Sequence, residues 1–228
     1  MRFVHNQIES FFETDCNKIS VLVCENPLQL TKLTEELLQQ TNGNDGNFRL
    51  FKSTGLNPKE LSVFGNVELV LSPFLLDFNN STLLKKLYKH LAQKANGDVF
   101  YSSTVELKKT IAKYIDSLLF DEPIEFSFEA DLDFSHLFKA ADIKFIDSNK
   151  NLPENLLEYM EIIQTFTGEK LFVFVNIKSF LTQEQLSALY DTWLGREYNV
   201  LLIEGRQSEK MQKESVVVID NDLCEITC

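Results

Sequence analysis

Residues 171–206 read LFVFVNIKSFLTQEQLSALYDTWLGREYNVLLIEGR, and the reading of this stretch decides the fold. Leu171 to Val175 is an unbroken apolar run of β-branched and aromatic residues. It is too short for a helix and lacks the alternation of a half-exposed strand, so it predicts a strand buried on both faces. Thr182 offers a helix cap, and Gln185 three residues later completes a capping box. Leu186, Leu189, Trp193 and Leu194 then recur at helical spacing up to Gly195, the expected stop signal. Val200 to Ile203 is a second buried strand. Strand, helix and strand of these lengths predict a right-handed βαβ unit in a parallel sheet, because only a crossover returns the chain in the same direction. In nucleotide-hydrolysing proteins of this architecture, a strand such as FVFV usually ends in an acid that helps to hold magnesium. Here it ends in Asn176.

Working outward, RFVHNQI and KISVLVC predict a hairpin whose second arm, Ile19 to Val23, enters the sheet. The segment after that arm, ENPLQLTKL, contains no glycine, and Pro27 removes an amide. A phosphate-binding loop needs glycines there so that backbone N–H groups reach the phosphates, which argues against a Walker-type site. A helix from about Leu28 to Gln40, a strand at Phe48 to Phe51, and strand-like pieces at Leu61 to Phe64 and Leu69 to Leu71 complete the first part. Later come a helix carrying Leu156, Leu157, Met160 and Ile163, and final strands at Val216 to Ile219 and Leu223 to Ile226. The fold class expected is α/β, a mostly parallel, P-loop-like head without Walker motifs, at residues 1–75 and 143–228. An α-helical leg, residues 76–142, is inserted in it.

The leg differs in charge from the rest. The chain of 228 residues carries a net charge of -12, yet residues 81–119 hold seven lysines against three acids. STLLKKLYKHLAQKA and STVELKKTIAKYIDSLL predict two helices with Ser or Thr caps, packed as an antiparallel arm, stripe to stripe. At 100° per residue Lys85, Lys86, Lys89, His90 and Lys94 share the polar half of the first helix, and Lys109 and Lys113 pair on the second. Such a face either keeps the arm solvated or tracks phosphates, without base readout, while the acidic remainder repels anions. In DEPIEFSFEADLDF, residues 121–134, alternation sets Glu125, Ser127, Glu129, Asp131 and Asp133 opposite Phe126, Phe128, Ala130, Leu132 and Phe134. Closely spaced carboxylates suit a hard cation such as calcium, and equally suit an acidic edge strand facing water.

Other chemistry finds little support. The three histidines stand in unrelated contexts, GxSxG and HExxH are absent, and the four cysteines form no CxxC. Paired carboxylates such as Asp131 and Asp133 leave a metal-dependent nuclease or a degenerate P-loop NTPase as the alternative. No apolar run reaches the roughly 20 residues that span a bilayer, and no signal-like segment opens the chain, so a cytoplasmic protein without a membrane partner is expected.

FVNIKSFLT followed by a helix and LLIEGR resembles the FVN-x3-FLT and LE-x-R pattern of the ring-forming spacer-acquisition accessory proteins of type II-A CRISPR systems. NSTLLKKL, EFSFEADLDF and the order of elements are similar too. The resemblance implies a non-enzymatic homotetrameric ring that binds ends of double-stranded DNA and calcium. It also implies a role in spacer acquisition, in antiviral defence, beside the CRISPR adaptation integrase and effector nuclease. Carried over by position, Lys85, Lys86, Lys89, Lys108, Lys109 and Lys113 are the DNA candidates. Glu125, Glu129, Asp131 and Asp133 are the calcium candidates, with Asp121 and Glu122 adjoining.

Overall fold

A computed structural model describes residues 1–14, 17–52, 58–146 and 150–227. Contacts divide the chain into two compact units, residues 1–76, 150–164 and 168–228 forming one and residues 77–149 and 165–167 the other.

In the first unit the strands are β1 (Arg2–His5), β2 (Phe12–Glu13), β3 (Ile19–Cys24), β4 (Phe48–Lys52), β5 (Lys59–Leu61), β6 (Val67–Val70), β7 (Leu171–Val175), β8 (Asn199–Glu204), β9 (Glu214–Ile219) and β10 (Glu225–Thr227). Between them run α1 (Pro27–Thr41), α5 (Leu152–Thr167, whose residues 165–167 count with the other unit), a 3-10 turn at Ile177–Phe180 and α6 (Gln183–Gly195). The large sheet has the order β10-β9-β3-β8-β7-β6. It is parallel except for β10, which runs antiparallel to β9. The expected βαβ unit is present: β7 and β8 are parallel neighbours, and Leu171 faces Asn199 in register.

β7 shows why the layers form. All five of its residues are buried. Phe174 stacks on Trp193 of α6 at 5.4 Å and Phe172 meets Tyr198 edge-on, whereas Leu171, Val173 and Val175 join Leu33 and Leu37 of α1 in the opposite core. A strand with no polar face must be covered twice.

The expected hairpin is not formed. β1 and β3 lie in different sheets, β1 pairing antiparallel with β2 and β4 in a small sheet of order β2-β1-β4-β5. Alternating residues specify a strand but not its partner. Thr182 and Gln185 make both halves of the capping box. Gly195, however, is the last helical residue, and the left-handed position that ends α6 is Glu197, at φ 55°.

The second unit contains α2 (Ser81–Ala95), α3 (Tyr101–Leu119) and α4 (Phe134–Ala140). Asn80 rather than Ser81 caps α2, accepting from the amides of Thr82 and Leu83, and α3 starts without a side-chain cap. Nor do α2 and α3 pack stripe to stripe: α2 buries Leu83, Leu87 and Tyr88 and has α4 as its close neighbour. On α3, Leu107, Tyr114 and Leu118 stay exposed. Residues 143–146 belong with this unit, because Asn79 exchanges two hydrogen bonds with Phe145 and Tyr88 donates to the carbonyl of Ile143. No helix among the described residues is long and apolar enough to cross a membrane.

Thr182→Ala removes the acceptor for the Gln185 amide and half of the capping box. The expected loss is about 1 kcal/mol, read as a lowered denaturant midpoint of the first unit.

Candidate nucleic-acid interface

The apolar residues of α2 determine where its lysines go. With Leu83, Leu87 and Tyr88 buried, helical geometry turns Lys85, Lys86 and Lys89 outward, within one 100° sector of the opposite face. All three are exposed, and none has an ion pair among the described residues. On α3, Lys109 and Lys113 are likewise exposed and unpaired, four residues apart on one side.

Lys108 is different. Its ammonium lies 2.5 Å from Asp131 Oδ1 and 5.6 Å from the centre of the Phe134 ring. It is half-covered, and one of the acids proposed for calcium neutralises it. Lys94, placed by periodicity on the polar half of α2, and Lys139 are also exposed cations of this unit; Lys94 lies 5.8 Å over the Phe100 ring. Lys139 lies in the last turn of α4, the short helix that follows Asp133.

The carboxylates form an extended run without strand partners, and residues 121–131 are exposed throughout. Phe126 stands 57% exposed and Phe128 is exposed as well, so the alternation separates acids from phenylalanines but buries only Phe134 of the three. Asp131 is paired with Lys108, and its backbone amide donates to Glu129 Oε1 at 3.4 Å. Asp133 caps α4, accepting from the Ser135 amide at 2.8 Å. That bond holds its carboxyl below the ordinary value of 3.8. Among the described residues no three His, Cys, Asp or Glu side chains come together as a metal-holding group. Oxygen donors of the right kind are therefore present at Glu125, Glu129, Asp131 and Asp133, but as folded here they do not converge on one point and do not fit a calcium ion.

Two asparagines lie just beyond the ends of strands β3 and β7 in the large sheet. Asn26 Oδ1 accepts from the amides of Leu28 and Gln29, both at 3.1 Å, so two of the N–H groups at the start of α1 that could face a phosphate are already satisfied. Asn176, left-handed at φ 55°, accepts from the Gly205 amide at 2.8 Å.

The family described as CRISPR-associated protein (Cas_Csn2) matches residues 40–223. A protein of Enterococcus faecalis named CRISPR-associated protein Csn2 is 23% identical over 205 residues, which is 83% of this chain and 90% of that protein. The crystal structure of Stu0660 of Streptococcus thermophilus has a similar fold, with a TM-score of 0.58 at 15% identity over 96% of this chain and 75% of that one.

Asp133→Ala should lower the thermal midpoint of the second unit at neutral pH, whereas Asp133→Asn, which keeps an acceptor, should not. Because the folded carboxyl titrates below its ordinary value of 3.8, the contribution of the charged cap is complete above that pH and is lost as the pH falls through the folded value. Melts of the two variants and the parent on both sides of pH 3.8 check this.

Proposed function

Since the chain belongs to the CRISPR-associated Cas_Csn2 family, we propose that it is a non-enzymatic, sequence-independent binder of double-stranded DNA ends that serves spacer acquisition in antiviral defence. The observation that carries this reading is the row Lys85, Lys86 and Lys89, unpaired and outward on α2, in a chain of net charge -12. Positive charge gathered on one element while the remainder repels anions favours phosphates over other contacts and gives strongly salt-dependent binding. Nothing on that face matches an element that reads base edges.

The proposed assembly is a homotetrameric ring. Its support is the apolar surface of the second unit: Tyr114, Leu118 and Phe120 stand 63%, 56% and 85% exposed. A surface of this kind suits contact with further copies of the chain. Four copies would concentrate the lysine potential in a way that one cannot. The head is read as a P-loop-like sheet that has lost nucleotide chemistry, supported by Asn26 on the α1 amides and by Asn176 in place of an acid. The CRISPR adaptation integrase and effector nuclease are the proposed partners, and the cytoplasm the proposed location.

Calcium is proposed separately, and no step of DNA binding is routed through it. Binding by the 121–133 segment would require its carboxylates to gather and Asp131 to leave Lys108. The expected outcome is a calcium-dependent rise in melting temperature that Asp131→Asn with Asp133→Asn reduces. An unchanged rise in that variant would move the ion elsewhere.

Gel-shift comparison of linear and covalently closed duplexes, each with calcium or a chelator, tests the ring. Preference for linear duplex is expected; equal binding to closed circles, or none to either, would refute threading. Cleavage products would favour the metal-dependent nuclease instead. Lys85→Glu combined with Lys89→Glu should weaken binding about tenfold or more and flatten the salt dependence, with the oligomer intact by light scattering. Loss of the oligomer would make this face an interface between copies.

A further inference from the structure

Two buried carboxylates of the first unit lie outside everything assigned above. Glu204 ends β8 and is 3% exposed; Glu214 begins β9 and is 1% exposed. Glu204 Oε1 accepts from the Lys178 amide at 3.2 Å, inside the turn that follows β7. Asn176, the residue in the capping position of that turn, gives it no side-chain hydrogen bond. Its side chain accepts from the Gly205 amide, and its own amide donates to the Ile203 carbonyl at 2.8 Å. The end of β8 therefore holds this turn through Asn176 and through Glu204, which takes the backbone amides of both Ile177 and Lys178 and is the titratable group among these partners.

The groups around Glu204 explain its state. Lys178, on the turn itself, sends its ammonium to Glu214 Oε1 at 2.7 Å and to Ser208 Oγ at 3.3 Å. Glu214, from β9, is further satisfied by the Tyr190 hydroxyl of α6 at 2.6 Å and by the Met211 amide at 3.2 Å. α1 contributes apolar Leu30, and the chain beyond β8 contributes Arg206, which is exposed. Two buried acids thus share one ammonium, and Glu214 has it.

We infer that Glu204 is a proton-operated clasp: ionised, it holds the Asn176–Phe180 turn against the end of β8, and protonated, it releases the turn and loosens the wall of the adjoining cavity. That cavity, of about 640 Å³, is lined by Leu30, Asn176, Lys178, Phe180, Arg206 and Ser208 among others. A charged acceptor binds an amide roughly twice as strongly as a neutral one, so the proton changes the grip. Burial pushes the Glu204 carboxyl up to about 7, against the pull of the Lys178 amide and ammonium and with the Glu214 charge adding to the rise. The clasp changes state near neutrality.

The two consequences have opposite signs. The proton is held more tightly in the folded chain than at the ordinary value of 4.5, so the stability this group contributes is complete below 4.5 and is lost as the pH rises through about 7. Over the same range the turn itself becomes more firmly held. Burial of the carboxyl alone would move the first quantity, whereas only a clasp moves the second.

Hydrogen exchange of peptides covering residues 176–180, corrected for the intrinsic pH dependence of exchange, tests this in the full-length protein. Protection about fivefold higher at about pH 8 than at about pH 6 is expected in the parent, with no such difference in Glu204→Gln. The melting midpoint of the parent should fall between those pH values relative to that of the variant. Equal protection at both values in the parent overturns the proposal, and that comparison needs no variant to fold. The same pH dependence in Glu204→Gln would assign the titration to another group and overturn it equally.

Discussion

The rest of the first unit depends on a strand that has no side able to face water. Leu171 to Val175 can exist only between two covering layers, so Phe172 and Phe174 call for the aromatic face of α6 and Tyr198, while Leu171, Val173 and Val175 call for α1 and its neighbours. Burying five such side chains is worth several kcal/mol in hydrophobic transfer, enough to matter beside the small net stability of a folded domain. The parallel pairing follows, because strands covered on both faces are linked by crossovers and not by hairpins.

That dependence also explains what could be read in the amino-acid sequence. The segments β7, α6 and β8 were legible because their signals are local: an unbroken apolar run, a capping box, and a second such run. The α2 helix was legible over its full length for the same reason, although its cap is Asn80. What was not legible is pairing. The alternation of β1 fits a partner at β3 as well as one at β4, and the stripe of α3 demands company without saying whose. The start of the short α4 is marked by the polar residues Asp133 and Ser135, but nothing local says that it takes the place beside α2.

In the candidate site the lysines of α2 were found by periodicity and take up the outward positions it requires. The fate of Lys108 could not be foreseen, since its ion pair with Asp131 joins residues separated by 22 others and depends on how the 121–133 segment runs. Glu204 was visible only as the acid of LLIEGR. Its burial, its neighbour Glu214 and the diversion of Lys178 are tertiary facts with no sequence signature.

The strands at the margins of the two sheets bear on the behaviour of the chain in concentrated solution. β2 has two residues, β5 and β10 have three each, and β6 has four. Margins this short give an incoming backbone few amides and carbonyls to template upon, so growth of either sheet by strand addition is blunted. The chain can then carry exposed apolar side chains on α3 without opening a route to fibrils. Contacts between copies then fall to helix surfaces such as that of α3, where they depend on side-chain shape.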